Sequence, residues 1–410
     1  MTPITSSTRT TTCCIVGGGP AGMMLGYLLA RAGIDVTVLE KHKDFFRDFR
    51  GDTVHPSTQQ VLYELGILDD FLAMPHQEIS RISLSIGGHQ FPVADCTHLP
   101  TQSKFVALMP QWDFLNFLAR QAAPYPNFHL LMEHNVTSLI EQNGRILGAH
   151  AETPSGPVEI RAGLTIGCDG RHSTSRAVAN LKVREKGVPI DVLWFRLNKH
   201  PTDPAASLGH VNYGGVIVLI DRADYYQTAF IIAKDSFDTV IKPAGLEAFR
   251  QKIASITPFL ADRVAEITGW DQVKLLSVQV NMLERWHLPG FLCIGDAAHA
   301  MSPVGGIGIN LAIQDAVAAA NILAAPLRTP LVTELTLAHV QSRRELPTRI
   351  TQRFQVIAHH FMTRILGNPA AIKPPLLLRF ISQFPIFRYA AGRFIGLGVR
   401  PEHIQIKLSS

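Results

Sequence analysis

A glycine-rich turn between an apolar strand and a helix constrains the fold of this chain more than any other feature. Residues 13–16 are apolar and strand-like, and Gly17, Gly19 and Gly22 then match the pattern G-x-G-x-x-G, with Pro20 and Ala21 inside it. The first glycine permits a tight turn, the second lets backbone amides approach a pyrophosphate, and the third allows the helix to pack closely on the strand. The N–H groups at the start of the helix would then face the phosphates.

The second strand of this unit ends in an acid at the expected distance. Residues 34–39 are mostly apolar, and Glu40 and Lys41 follow them. A carboxylate at this place accepts hydrogen bonds from the ribose of a dinucleotide. The glycine pattern alone is weak evidence, because glycine turns with only a structural role are common. The strand before it, the helix after it and the acid together predict a dinucleotide-binding unit.

The composition predicts a globular, cytoplasmic chain with room for two domains. Of the 410 residues, 46% are hydrophobic and 17% are charged, which argues against disorder beyond the termini. The first ten residues lack the pattern of a signal peptide, and no uncharged apolar run is long enough to span a bilayer. The five cysteines show no C-x-x-C spacing and are typical of buried free thiols in a reducing compartment. The net charge of +5 does not cluster into a nucleic-acid footprint.

Local patterns predict the order of the remaining elements. Ser57 is the predicted cap and Gly66 the predicted stop of a helix over 56–65. Alternation of apolar and polar residues over 79–93 predicts a hairpin. Further helices are predicted at 111–118, 246–267, 311–325 and from residue 340 onwards, and strands at 128–132, 136–141, 146–152, 192–197, 215–220 and 225–233. The β-rich block from 189 to 234 indicates a sheet domain inserted between parts of the nucleotide-binding domain.

Two later motifs place an acid directly after an apolar strand. The run 164–168 leads to Asp169, which begins the sequence D-G-R-H-S-T-S-R, and the run 290–294 leads to Gly295 and Asp296. A carboxylate in such a turn can accept hydrogen bonds from the hydroxyls of an extended ligand. The competing interpretation is an ordinary turn or N-cap aspartate; the glycine motif near the start of the chain favours the ligand.

A glycine-rich loop follows the second of these acids and runs into the long Ala-rich helix. Its N–H groups, with those of the helix start, can stabilise negative charge on a ligand. The candidate ligand-binding residues of this loop are Pro303, Gly306, Gly308, Ile309 and Asn310.

The three motifs, in this order, resemble those of the class A flavoprotein monooxygenases, the family of para-hydroxybenzoate hydroxylase and the ubiquinone-biosynthesis hydroxylases. The resemblance implies FAD as the bound cofactor. Residues 169–176 are similar to the family's D-G motif, Asp296 to an acid that contacts the ribityl chain, and the loop from Pro303 to the loop against the isoalloxazine ring. The other FAD contacts that the resemblance implies are Arg50, Gln111 and Val136, the last near the adenosine.

The implied fold is α/β, with a three-layer, Rossmann-like FAD-binding domain of the para-hydroxybenzoate hydroxylase type. This discontinuous domain is expected to comprise residues 1–78, 101–185 and 270–345. The inserted β-rich substrate domain is expected at 79–100 and 186–269, and a C-terminal helical segment at 346–410.

The resemblance also implies a reaction. NADH or NADPH would dock transiently and reduce FAD, and dioxygen would form a flavin C4a-hydroperoxide that hydroxylates an aromatic, quinone-like or polyketide small molecule. The absence of a second G-x-G-x-x-G from the sequence argues against a permanent NAD(P)H domain. The substrate pocket is expected between the flavin and the inserted sheet, at residues 194–196 and 225–230, whose aromatic side chains could equally form sheet core. No catalytic side chain is predicted.

Several alternatives remain open at this point. The chain could be an FAD-dependent oxidase or dehydrogenase, or a flavin-bound, membrane-associated protein without enzymatic activity. Residues 376–399 mix apolar side chains with arginines, as a helix on the inner face of a membrane does, although an internal docking helix is more common. A homodimer is also considered. No metal is predicted, because the histidines, including His299 and His359, lack zinc spacing. Asp52 and His55 could face the flavin or pack a loop.

Overall fold

The computed structural model describes residues 7–46, 53–203, 208–222, 224–329, 331–368, 370–374, 379–380 and 382–407. Arg50 and Asp52 lie outside the described residues. The strands are β1 Ser7–Val16, β2 Val36–Leu39, β3 Thr53–Val54, β4 Gln77–Ile79, β5 Arg81–Ile86, β6 His89–Asp95, β7 Val106–Leu108, β8 Phe128–Leu131, β9 Asn135–Gln142, β10 Arg145–Thr153, β11 Gly156–Gly167, β12 Val183–Lys186, β13 Ile190–Asn198, β14 Gly209–Asn212, β15 Gly215–Asp221, β16 Tyr225–Ala233, β17 Lys274–Leu276, β18 Val280–Leu283, β19 His287–Leu288 and β20 Phe291–Cys293. The helices are α1 Pro20–Arg31, α2 Pro56–Glu64, α3 Leu68–Leu72, α4 Gln111–Ala122, α5 Thr174–Val178, α6 Lys242–Ala244, α7 Leu246–Ile256, α8 Gly308–Arg328, α9 Glu334–Leu366 and α10 Pro385–Leu397.

The first of the two large sheets is mostly parallel, has the strand order β19-β20-β11-β1-β2-β8 and forms the middle layer of three. Strands β20, β11, β1, β2 and β8 run parallel to one another. The apolar runs of β20, β2 and the ends of β11 and β1 are buried on both faces, as expected for such a sheet, whereas the edge strand β8 is only partly buried. Helices α1, α4 and α8 cover one face. Antiparallel strands β9 and β10 continue from β11 and contribute side chains to a core on the other face. The predicted three-layer, Rossmann-like α/β fold is confirmed.

A second sheet has the order β17-β13-β16-β15-β14-β5-β6 and includes the predicted hairpin, β5 and β6. One face packs against α7, and the other packs against the small sheet β3-β7-β4. Because β3 also contacts the glycine-rich loop before α8, the small sheet connects the two large ones. The proposed division into domains stays a prediction.

Three local predictions differ from the structure. The cap of α2 is His55, not Ser57, because Pro56 occupies the first helical position and its fixed φ sets the start. The helix predicted over 246–267 ends at Ile256, since Pro258 disfavours a helical conformation at the preceding residue. Helix α9 starts at residue 334, where Thr333 accepts from the N–H of Thr336 at 3.3 Å, and it runs through the proposed domain boundary at 345/346.

Helix α8 lies in the core. Together with the turn before it, from Val304 to Arg328, it is long and apolar enough to cross a membrane, but 78% of its most apolar window is buried inside the protein. The apolar composition of α8 is therefore that of a core helix. All five cysteines are buried free thiols, and burial raises the pKa of Cys14 to about 12. Such thiols are inert at neutral pH.

Candidate active site

The first glycine turn forms an open cradle at the start of α1. Gly17 has a φ of +106°, a conformation that favours glycine, and a side chain at Gly22 would lie 2.0 Å from the Gly17 carbonyl oxygen. A side chain at Gly19, by contrast, would meet no described atom closer than 4.0 Å. Helix α1 has no acidic residue in its first turn, so its free N–H groups leave an electropositive opening at Gly19.

Glu40 lies at the edge of this cradle, as predicted from its place after β2. The N–H of Gly18 donates to Glu40 Oε2 at 3.0 Å, and the N–H of His42 donates to Glu40 Oε1 at 3.0 Å. These contacts hold a partly exposed carboxylate beside the glycine turn. Lys41 follows on the surface.

Asp169 organises the turn after β11 rather than pointing freely at a ligand. Its carboxylate accepts from Ser173 Oγ at 2.5 Å, from Ser175 Oγ at 2.9 Å and from the Ser175 N–H at 2.9 Å. Ser173 in turn caps α5, accepting from the N–H of Arg176 at 2.9 Å. The second motif is therefore a rigid turn beside the first, since the Cys168 carbonyl would contact a side chain at Gly17.

Two arginines connect the second motif to the third. Arg171 NH2 lies 3.6 Å from Asp296 Oδ2, and Arg176 donates to the Ala297 carbonyl at 3.1 Å. A side chain built at Gly295 would lie 3.1 Å from the Ala21 Cβ at the start of α1. The structure thus brings the three motifs, separated by more than a hundred residues, to one end of the parallel sheet, where ligands of α/β folds bind.

A buried charge network supports the third motif from below. Asp315 on α8 accepts from the Gly295 N–H at 3.0 Å, lies 2.5 Å from His299 Nε2 and accepts from Arg344 Nε at 2.8 Å. Glu402 lies 3.4 Å from Arg344 NH1. Burial alone would raise the pKa of Asp315, but His299 and Arg344 hold it below its ordinary value. His299 therefore has a structural partner in Asp315.

The glycine-rich loop is shaped for close approach of a flat ligand. Pro303 precedes Gly305 and Gly306, both with positive φ, and Thr53 Oγ1 donates to the Gly306 carbonyl at 2.8 Å. Apart from the adjacent residues and the backbone of α8 itself, no described atom lies within 4 Å of the place where a side chain at Gly308 would stand. Gly308, Ile309 and Asn310 form the first turn of α8, whose N–H groups lack intrahelical acceptors. Thr58 also donates to Asn310 Oδ1.

Helix α9 clamps the segment leading into this loop. Gln355 donates to the carbonyls of Ser302 and Val304, at 2.9 and 3.1 Å, and accepts from the Ser302 N–H at 3.1 Å. His359 Nε2 lies 2.8 Å from Ser302 Oγ. Burial lowers the pKa of His359 to about 4, so the ring is neutral at physiological pH. The sequence indicated this clamp only through polar residues repeating at helical spacing, a signal that also suits a solvent-exposed face.

The remaining predicted residues are less closely tied to the site. Gln111 starts α4, three residues after β7. Val136 on β9 is buried with Val16 and Leu39, at the ends of the two strands that form the first cradle. His55 is buried, and its Nδ1 lies 2.7 Å from the Ile395 carbonyl on α10, which is the loop-packing role considered above.

The inserted sheet divides the predicted pocket residues between its two faces. Phe195, Tyr226 and Phe230 are buried against α7 and are core. Trp194 lies on the opposite face, which packs on β7. Gln227 lies on that face too, because it is two residues from Ala229 on β16 and residues two apart on a strand point to the same side. Trp194 Nε1 and Gln227 Nε2 are buried donors for which the described residues provide no acceptor.

These observations together fit FAD. The cradle at Gly19 and the helix start suit the pyrophosphate, Glu40 suits the ribose, Asp296 the ribityl hydroxyls, and the opening at Gly308 the flavin ring. No group of three or more His, Cys, Asp or Glu in the described part of the chain could hold a metal ion.

Comparisons with known proteins agree with this geometry. A family model described as an FAD binding domain matches residues 9–354. A 6-methylpretetramide 4-monooxygenase from Streptomyces rimosus is 31% identical over 380 residues, covering 92% of this chain and 90% of the relative. The chain belongs to this family of FAD-dependent monooxygenases. The predicted enzyme class is confirmed, and the oxidase and non-enzymatic alternatives are not favoured.

Solved structures show the same fold. An anhydrotetracycline hydroxylase from Streptomyces rimosus has a TM-score of 0.76 at 20% identity, covering 96% of this chain and 77% of that one. A p-nitrophenol 4-monooxygenase from Pseudomonas putida has a TM-score of 0.72 at 19% identity, covering 95% of both chains.

We expect Asp296→Ala to weaken FAD binding about tenfold, because a charge-assisted hydrogen bond contributes about 1.5–3 kcal/mol. FAD titration of the apoprotein, followed by flavin fluorescence, measures this. Asp271→Ala, at an exposed position between α7 and β17, is the matched control and should bind FAD normally. An Asp296→Ala protein with full flavin occupancy and turnover would contradict the assignment.

Proposed function

We propose that this enzyme hydroxylates a phenolic or quinone-like ring of an aromatic polyketide. The support from relatives is the 6-methylpretetramide 4-monooxygenase, which matches this chain along nine-tenths of its own length. The observation that carries the proposal is the pair of unpartnered donors, Trp194 Nε1 and Gln227 Nε2, on the sheet face turned towards β3-β7-β4. That small sheet contacts the glycine-rich loop through Thr53.

Those two donors suit an oxygen-rich aromatic ligand. An unpaired buried donor costs about 1–3 kcal/mol, and a phenol, phenolate or quinone oxygen would remove that cost by accepting from it. The neighbouring side chains, which include Val192 and Ile220 on this face and Leu108 on the facing strand β7, are apolar and buried. They would exclude water and contact the ring faces of a polycyclic substrate.

The protein's contribution is to hold and orient two flat molecules. When bound, FAD supplies the redox chemistry with dioxygen and a transient NADH or NADPH. The two glycine-lined openings would hold its pyrophosphate and ring, and Gln355 and His359 would fix the loop beneath the ring. Trp194 and Gln227 would set which substrate carbon faces the flavin, so no side-chain nucleophile or general base is required.

Turnover with mass analysis of the product tests the proposal. The purified, FAD-loaded protein is mixed with NADH or NADPH and a panel of phenols, naphthols and polycyclic phenols, and oxygen is then admitted. We expect polycyclic phenols to stimulate flavin reduction and to gain one oxygen atom. If only simple phenols react, or if the panel yields peroxide without oxygenated product, the proposed substrate class is wrong.

We expect Trp194→Phe to raise the KM for such a substrate about tenfold while FAD affinity is unchanged, because the ring is kept and one hydrogen bond of about 1 kcal/mol or more is lost. Steady-state kinetics and FAD titration measure the two effects. Trp270→Phe, behind the sheet among the side chains that pack on α7, is the matched control. Equal KM values for Trp194→Phe and the wild type would exclude the proposed contact.

We further propose a cytoplasmic location, for which the five free cysteines are the support.

A further inference from the structure

Helix α9 is amphipathic, but over much of its length its polar side chains face inwards and its apolar side chains face outwards. Between Arg344 and His359 its inward face is mostly polar and includes Gln352 and Gln355, which are fully buried and bind backbone carbonyls. Its outward face carries exposed apolar residues at spacings of three and four, which places them on one stripe: Leu346, Ile350, Phe354, Ile357 and Phe361. Since the apolar stripe of a surface helix normally faces the core, this stripe indicates an external partner.

A second set of exposed apolar residues continues this stripe at the C-terminal helix. The rings of Phe380 and Phe384 lie 4.9 Å apart, and those of Phe384 and Phe387 lie 6.4 Å apart. Ile386 beside them is 70% exposed. Phe394 on α10 contacts Phe354 on α9 with ring centroids 4.9 Å apart, which joins the two sets. We call these nine exposed residues of α9 and 380–387 the apolar face.

The inner side of α10 is fixed and cannot rotate to bury the apolar face. A side chain at Gly392 would lie 2.0 Å from the Asp95 carbonyl oxygen, and one at Gly396 would lie 2.6 Å from Leu99 Cδ1. Such contacts are possible only because these glycines let the helix lie directly on β6 and the turn after it. The opposite side of α10 therefore stays turned outwards.

The charge around the apolar face has one sign. From residue 346 to 401 the sequence contains seven arginines, one lysine and no aspartate or glutamate, whereas the whole chain has a net charge of only +5. The rest of the protein is therefore net negative, and the cations are concentrated where the apolar side chains are exposed. Arg353, Arg379 and Arg393 are exposed beside them.

We propose that the apolar face docks the protein on an anionic lipid surface. Apolar side chains inserted at the headgroup boundary, flanked by arginines that attract anionic headgroups, are the two features of interfacial helices. A second copy is disfavoured, because a two-fold interface would place each cationic segment against its own copy. Docking holds the active-site loop, which α9 clamps, a short distance from the lipid and is independent of the oxygenation chemistry.

Vesicle co-sedimentation of the full-length, FAD-loaded protein tests this. Vesicles of pure phosphatidylcholine are compared with vesicles of phosphatidylcholine and phosphatidylglycerol in about equal parts. We expect binding to the anionic vesicles only, weakening as salt screens the charges. The double variant Ile386→Ser/Phe387→Ser should bind about tenfold more weakly or less, and Arg379→Gln/Arg393→Gln should lose the preference for anionic lipid.

Val240→Ser is the matched control, because Val240 is an exposed apolar residue on the inserted domain; it should bind vesicles as the wild type does. Flavin spectra and thermal unfolding of every variant show that the fold is kept. Absence of binding to either vesicle would overturn the proposal. A dimer in gel filtration that Ile386→Ser dissociates, without vesicle binding, would overturn it in favour of a second copy.

Discussion

Gly22→Ala is expected to destabilise the apoprotein by about 3 kcal/mol or more and to abolish stable FAD binding. The new methyl group would lie 2.0 Å from the Gly17 carbonyl oxygen and 3.2 Å from Ile15 Cγ2. Alanine gains about 1 kcal/mol over glycine in helix propensity, but overpacking against a backbone atom costs more than that gain. Denaturant unfolding of the apoprotein, together with FAD titration, measures both effects.

Gly19→Ala separates folding from cofactor binding at the same turn. The nearest described neighbour of its methyl group would be the Cys168 carbonyl oxygen at 4.0 Å, an ordinary contact distance, and Gly19 has a φ of −74°, which alanine adopts without strain. We expect normal unfolding of the apoprotein and reduced FAD affinity, because the methyl group would occupy the space assigned to the pyrophosphate. If Gly19→Ala binds FAD as tightly as the wild type, the pyrophosphate does not lie in this cradle.

Asp315→Asn is expected to lower the free energy of unfolding by about 3 kcal/mol, because it removes the carboxylate nearest to the buried Arg344 and leaves only the Glu402 contact at 3.4 Å. Asparagine keeps an oxygen that can accept from the Gly295 N–H. The loss of unfolding free energy therefore measures the contribution of the buried charges and not that of the Gly295 turn. Asp238→Asn is the matched control. Its carboxylate lies 2.6 Å from Lys242 Nζ in an exposed pair, and such pairs contribute less than about 1 kcal/mol.

The same network predicts a pH dependence. The pKa of Asp315 is lower in the folded protein than its ordinary value of 3.8, so the unfolded state binds its proton first as the pH falls. The stabilisation is therefore complete above about pH 4 and is lost as the pH falls through the folded-state pKa. The stability difference between wild type and Asp315→Asn should shrink only below about pH 4. A difference that shrinks between pH 6 and 8 would contradict the assignment to Asp315.

The order of motifs was predictable because each one is a local requirement on the backbone. Gly17 and Gly22 are needed where a strand turns into a helix around a phosphate, and Asp169 and Asp296 follow their strands directly. The predicted strands and helices around them have the periodicities that burial on one or two faces demands. The fold class and the enzyme family followed from these local signals, and both are confirmed.

The buried side chains that hold the site in place could not be predicted from the sequence. Asp315 is the one acidic residue of the mostly apolar helix α8, and nothing in the sequence shows that it meets both the Gly295 N–H and Arg344. The sequence also could not separate pocket residues from core residues, because both faces of the inserted sheet are buried. Alternation on β13 separates Trp194 from Phe195, but only packing against α7 and β7 shows which of them is core.

The sequence by itself determined the nucleotide-binding unit, the three motifs and the fold class, since these depend on residues close together in the chain. Only the tertiary structure decided which side of α9 faces inwards. A hydrophobic pattern would place Leu346, Ile350 and Phe354 in the core, yet the inward positions are taken by Gln355 and His359. The reason is that the loop before α8 presents unpaired backbone groups at Ser302 and Val304, and polar side chains must satisfy them.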